Sequence, residues 1–116
     1  MKVSFEGIQE QAVTFEAITT GSQAVETGAP ASLSADGTVR KAEAGDVPVG
    51  LVLEVRGDYA GVQTHGYQRM PCAADLTVGF ARLAVAEGGK LAVSQTGREG
   101  FVVDVDASAG VCGVLF

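Results

Sequence analysis

The sequence has no tryptophan and no asparagine, a single histidine, two cysteines and three prolines among its 116 residues. Aromatics make up only 6% of a chain that is 47% apolar, so the apolar mass is mostly small Ala and Val. A chain of this length folds as one domain and buries roughly 65% of its unfolded surface. With so few bulky side chains it cannot place all of its apolar content in a thick core, and some is expected to lie exposed against a partner. In the absence of asparagine, turns fall to aspartate and to the 16 glycines. Basic residues are scarce too. Eight Lys and Arg against 14 Asp and Glu leave a net charge of −6, the wrong sign for a protein that neutralises phosphates, so nucleic acid is not an expected partner. No apolar run approaches the roughly 18 residues of a membrane span, and no membrane partner is expected. The opening Met1-Lys2-Val3-Ser4-Phe5-Glu6 alternates and carries charge, unlike a secretory leader, which points to a soluble product of a cytoplasm.

The residues that carry chemistry are equally sparse. Two cysteines and one histidine fall short of a four-ligand zinc site unless carboxylates assist. Cys72 and Cys112 read as reduced, partly buried small side chains. A disulfide would need neighbouring strands and an oxidising compartment. His65 has no Asp, Ser or Cys at a diagnostic local spacing, which makes it a structural or surface residue rather than a base. Asp104-Val105-Asp106-Ala107-Ser108 opens like a calcium loop, but Ala109 stands where glycine is needed and Leu115 where glutamate is. Both aspartates then belong to one face of a strand edge. Gly88-Gly89-Lys90 lacks the earlier Gly and following Ser or Thr of a phosphate loop and reads as a hairpin turn. Arg56-Gly57-Asp58 spells the tripeptide read by integrins, yet Gly-Asp is what a two-residue turn requires. No catalytic residue, metal ligand or cofactor is assigned, and the chain is not expected to be an enzyme.

What the sequence does contain is strand pattern. A turn at Gly45-Asp46 and a strand-opening Pro48 lead into residues 49–56, where Val49, Leu51, Leu53 and Val55 alternate with Gly50, Glu54 and Arg56. Only Val52 breaks the two-residue period. Gly57-Asp58 reverses the chain, and Ala60, Val62 and Thr64 begin a return strand. That strand is expected to run on through His65, Gly66 and Tyr67 to Arg69-Met70, ending at Pro71.

Much of this pattern recurs about fifty residues later. Gly100-Phe101-Val102-Val103-Asp104-Val105-Asp106 matches Gly50-Leu51-Val52-Leu53-Glu54-Val55-Arg56, and Gly110-Val111-Cys112 stands where Gly61-Val62-Gln63 stood. Upstream, residues 28–33 and 37–39 resemble residues 79–83 and 88–91. An internal duplication within one all-β domain, a small barrel or sandwich with two related halves, is the fold expected.

Ahead of it lie two alternating runs, Val3 and Phe5, then Val13, Phe15 and Ala17. They fit two short strands or one extended arm equally well. Residues 31–34 and 38–42 are short strands around an Asp36-Gly37 turn. Residues 73–87 keep some helical spacing, but Pro71, Gly79 and the β-branched pair Thr77-Val78 favour loop then strand. The remaining strands are residues 90–94, 100–106 and 110–116, the last packed down to Phe116. The division is an N-terminal arm over residues 1–20 and a β domain over 21–116, with halves near 28–66 and 79–116. The arm lacks an obvious partner, so Phe5, Val13 and Phe15 are the candidate interface residues.

From about Gly21 onward this arrangement resembles the small phage capsid cement, or head decoration, proteins. The likeness rests on Gly28-Ala29-Pro30-Ala31-Ser32-Leu33, Asp36-Gly37-Thr38-Val39-Arg40-Lys41-Ala42 and Val49-Gly50-Leu51-Val52-Leu53. Val78-Gly79-Phe80-Ala81-Arg82-Leu83 and Gly100-Phe101-Val102-Val103-Asp104-Val105 extend it. The chain departs from the family at Met70-Pro71-Cys72 and in stopping flush at Phe116. The resemblance implies an all-β virion protein made in the host cytoplasm. It would bind the major capsid protein on the outer head surface, usually as a homotrimer that locks capsomers together, without catalytic residues. Two other readings stay open. One is a tail or head-completion part, favoured by a ring-shaped rather than trimeric assembly. The other is a ligand-binding β-barrel accessory domain, favoured by a pocket holding His65, Tyr67 and Arg69.

Overall fold

The computed structural model describes residues 11–116. The chain is all-β, built as two five-stranded antiparallel sheets with no helix among the described residues. The first sheet contains β1 (Gln11–Glu16), β2 (Pro30–Leu33), β3 (Val39–Lys41), β4 (Gly50–Arg56) and β5 (Tyr59–His65) in the spatial order β1-β5-β4-β2-β3. The second contains β6 (Tyr67–Pro71), β7 (Gly79–Ala86), β8 (Lys90–Val93), β9 (Arg98–Asp106) and β10 (Val111–Leu115) in the order β6-β10-β9-β7-β8. The two orders are the same permutation of five strands.

Finer landmarks repeat as well. Each sheet curls until its edges meet at one parallel bridge, Ala17 with Val39 in the first and Cys72 with Leu91 in the second. Each β4-type strand carries a bulge at the same place, around Leu53 between Val52 and Glu54 and around Val103 opposite Gly113 and Val114. The bulge explains why Val52 breaks the alternation. One extra residue keeps Val52 in the first core, puts the exposed Val55 on the same face opposite Ala60, and leaves Leu51, Glu54 and Arg56 on the outer face. Gly50 and Gly100 are also equivalent. A Cβ on Gly50 would overlap the carbonyl of Gln63, and one on Gly100 would come within 2.7 Å of that of Leu115, so both sites need glycine for close strand approach.

Several boundaries differ from the sequence reading. The register pairs Gly61 with Thr14 and Glu54, and Gly113 with Arg69 and Asp104, so Gly113 rather than Gly110 is the counterpart of Gly61. The return strand does not run through to Met70. It stops at His65, Gly66 takes φ 96°, and β6 opens the second sheet. Nor is the segment after Glu10 a free arm. Gln11–Glu16 pairs with β5 along its length and starts the first half, which therefore begins at β1 rather than near residue 28. Its counterpart Tyr67–Pro71 shares no residue type with it at matched positions, so the repeat could not be seen there. Residues 73–78 are loop and β7 follows, as expected from Pro71 and Gly79.

Each half has its own core, and the two differ. Ala17, Val25, Ala31, Val39, Val52, Ala60 and Val62 form the first, with Phe15 and Val49 against them. Met70, Cys72, Leu76, Leu83, Leu91, Val102, Cys112 and Val114 form the second. Leu51, on the outer face of β4, joins the second core. Burying a side chain of that size stabilises by about 1.5–3 kcal/mol, so it ties the halves together.

Candidate interaction surface

Besides Leu51, the junction between the halves is held by backbone pairing, by Gln63 Nε2 donating to the Tyr67 carbonyl at 3.0 Å, and by one cation. Val85 in β7 exchanges backbone hydrogen bonds with Gly45 and Asp46 of the β3–β4 loop, at 2.7 and 2.8 Å. Gly66 and Phe116 exchange another pair at 3.2 and 3.3 Å. Arg98, at the start of β9, reaches back to donate to the carbonyls of Val49 at 2.9 Å and Thr64 at 2.6 Å. Its guanidinium lies 4.4 Å from the Phe116 ring centroid, a cation–π contact that packs the final side chain down. Burial pushes Arg98 below its ordinary pKa. Asp46 organises the loop on the other side, accepting from Glu43 N (2.8 Å), Ser32 Oγ (3.0 Å) and Arg40. Burial raises its carboxyl, but the Glu43 amide, the Ser32 hydroxyl and Arg40 together outweigh this and hold it below the ordinary value.

On the outer face of the second sheet, Tyr67, Arg69 and Asp104 gather over Gly113. The Tyr67 hydroxyl donates to Asp104 Oδ2 at 2.8 Å, and Arg69 donates to the Tyr67 oxygen at 3.2 Å and to Asp104 Oδ1 at 3.1 Å. Burial and the Asp104 bond both raise the Tyr67 pKa. The first half repeats the floor without the cover. Thr14, Glu54 and Gly61 stand at the places of Arg69, Asp104 and Gly113, while Ala12 replaces Tyr67. An open hollow of about 390 Å³ remains there.

Exposed apolar side chains are spread over both halves, and two groups of them border hollows. An open groove of about 670 Å³ on the first half is walled by Val13, Leu33 and Val47, with Arg98 and His65 at its margin. On the second half, cross-strand neighbours Phe80 and Phe101 meet edge to face, with ring centroids 5.6 Å apart. They border a hollow of about 330 Å³ with Leu115 and Phe116. Phe80 is 61% exposed, unusual for so large a side chain unless something covers it.

The candidate interface residues divide. Phe5 lies outside the described residues. Val13 is exposed in β1 and lines the groove, and Phe15 packs half-buried against the first core. Leu33, Val47, Phe80 and Phe101 were not singled out from sequence. The available signal was the repeat itself, which sets Phe101 against Leu51. His65 contacts Thr64 Oγ1 through Nδ1 at 3.0 Å and borders the groove, whereas Tyr67 and Arg69 sit with Asp104 on another face, so the three do not share a pocket.

The remaining motifs lie in turns or in the core. Arg56-Gly57-Asp58 is the exposed turn between β4 and β5, with Gly57 at φ 54° and Arg56 paired with Glu54. Asp106 accepts from Ser108 Oγ and Ala109 N and so caps the β9–β10 turn. Gly88 and Gly89 form the β7–β8 turn. Cys72 and Cys112 are both buried and free. Burial, then the neighbouring Cys72, push the Cys112 thiol up to about 12. Among the described residues there is no group of metal-binding side chains and no helix long and apolar enough to cross a membrane. Compared with known proteins, the chain matches no family model and no curated relative.

Proposed function

We propose that this protein decorates a phage head, binding the major capsid protein on the outer surface and fastening capsomers together as a homo-oligomer, most simply a trimer. The observation that carries the reading is the apolar side chains left outside two complete small cores, Val13, Leu33 and Val47 on one half and Phe80 and Phe101 on the other. Surfaces of this kind bind protein. The acidic charge and the likeness to cement proteins from Gly21 onward support the same reading. Many copies of a weak contact on a shell combine into firm attachment.

Co-sedimentation with expanded heads from the genome that encodes it tests this. Saturable binding that raises the temperature at which the heads break is the expected result. Failure to bind such heads at any stage of maturation would remove the proposal. The arm variant must stop at residue 10, because Gln11–Glu16 is part of the first sheet and Phe15 and Ala17 of its core. Removal of residues 1–10 should weaken head binding with the β domain intact.

A further inference from the structure

The duplication shows what each face of the five-stranded unit is for, because one copy has its face covered and the other does not. Leu51 and Phe101 occupy the same place, two residues before the shared bulge on the outer face. Leu51 is 9% exposed because it enters the second core, whereas Phe101 is 54% exposed. Their cross-strand partners follow suit: Gln63 is buried, and its counterpart Leu115 is not. The face that the first half presses against the second is therefore displayed, enlarged by Phe80 and Phe101, on the outer face of the second half.

The receiving face shows the opposite asymmetry. By strand register Val13 corresponds to Gln68, and Leu33 to Val85 through the β2–β3 and β7–β8 hairpins and to the equally buried Leu83 through β4 and β9. In the second half these positions are covered, Gln68 at 1% and Val85 at 2% exposed, where β4 and the Gly45–Asp46 loop pack in. In the first half nothing described covers them. Val13 is 44% and Leu33 47% exposed, and they wall the groove. One chain thus carries both members of its own internal contact, each unfilled, and the two regions adjoin through the Arg98–Phe116 contact.

We propose that the Phe80–Phe101 face of one copy seats in the Val13–Leu33 groove of the next, repeating between chains the contact that joins the halves within a chain. The occupant of the groove is the second half of another copy. Such a contact is heterologous, and five-stranded units follow one another through it, into a ring where the rotation between copies closes and into a filament where it does not. It does not rest on the capsid reading, since the purified chain alone suffices to form it.

The test uses the full chain and two variants at exposed positions, Phe101→Asp and Leu33→Asp, checked for folding by far-UV circular dichroism and thermal unfolding. Native mass spectrometry and sedimentation should find the parent chain oligomeric. Each variant alone should be monomeric, its association weakened about thirtyfold or more, as when a central aromatic anchor is lost. The decisive measurement is the mixture. Phe101→Asp keeps an intact groove and Leu33→Asp an intact aromatic face, so together they should form a dimer and nothing larger. An isologous Phe101 interface would leave Leu33→Asp assembled and the mixture without a new dimer, which overturns the proposal. A monomeric parent chain also overturns it. So does assembly gained only after removing residues 1–10, which would make the chain's own N-terminal segment the groove's occupant.

Discussion

Replacing Gly113 with alanine should unfold this protein more easily, while the same change at its counterpart Gly61 should not. A Cβ on Gly113 would lie 2.5 Å from both Cε1 and Cζ of Tyr67 and closer still to its hydroxyl. The ring cannot simply swing away, because its hydroxyl is bonded to Asp104 and Arg69 and the side chain is buried. Overpacking of this kind costs about 1–3 kcal/mol, and a strained or lost bond to a carboxylate about 1.5–3 kcal/mol more. Because Arg69 is partly exposed and water can replace some of what is lost, about 3 kcal/mol is a fair total. At roughly 2.1 cal/mol/K per residue, this lowers the midpoint by about 12 °C. At Gly61 a Cβ would meet nothing within 4 Å, and the backbone has no positive φ. Gly61→Ala should therefore be neutral or stabilise by about 0.4–1 kcal/mol through the unfolded chain.

Calorimetry on both variants measures the difference, and a cycle with Tyr67→Ala isolates its cause. In that background, which costs several kcal/mol by itself, the added Gly113→Ala should cost almost nothing. If Gly113→Ala and Gly61→Ala unfolded within about 0.5 kcal/mol of one another, the Tyr67 ring would not lie over Gly113 and the reasoning would be wrong.

Asp46→Asn should cost about 2 kcal/mol at neutral pH by weakening the bonds from Glu43, Ser32 and Arg40. The Asp46 carboxyl is held below its ordinary value of 3.8, so its contribution is complete above that pH and fades as pH falls through the folded value. The parent chain should accordingly lose more stability than the variant on acidification below about pH 4, as urea titrations would show. Cys112 shifts the other way. With a folded value of about 12 against 9.0, its contribution is present below pH 9 and lost as pH rises toward 12. A thiol reagent at pH 8 should leave both buried cysteines unmodified until denaturant is added, and rapid labelling of the native chain would contradict their burial. Reversing Arg56-Gly57-Asp58 to Asp-Gly-Arg keeps Gly57 in its turn and should change stability by no more than about 0.5 kcal/mol. Cell adhesion to the parent chain that vanished on reversal would show the tripeptide to be more than a turn.

Legibility from sequence depended on where local pattern and burial coincide. The β4 hairpin and its repeat in β9 were readable because glycine, the apolar run and the charged positions recur in step. The same landmarks reappear as close strand approach at Gly50 and Gly100 and as the paired bulges at Leu53 and Val103. The bulge itself was hidden, since Val52 merely broke a period and nothing local says which residue is extra. β1 and β6 were harder. They are edge strands with unrelated side chains, and only their common partner strands make them equivalent. The exposed surface was harder again. Leu51 and Phe101 are similar hydrophobic residues in similar strings, and their different exposures arise from what the other half covers, a long-range fact that no local spacing encodes.

That asymmetry bears on stability as well as on recognition. The first core is built from Ala and Val, with Phe15 and Val49 at its margin, and Leu51, one of the two leucines of β4, is lent to the other half. The second core has three further leucines, a methionine and a buried Tyr67 beside it. Per side chain, methyl-sized groups bury less area and contribute less, so the first half depends more on the junction formed by Arg98, Asp46 and the Val85 pairing. The groove bounded by Val13 and Leu33 lies on this weaker half. A partner seated there would bind the folded first half and not its unfolded form, stabilising by mass action the part of the chain with least core of its own. Assembly and folding of the first half are then coupled. The second half, with its fuller core, can present Phe80 and Phe101 to solvent without relying on their burial for its own fold.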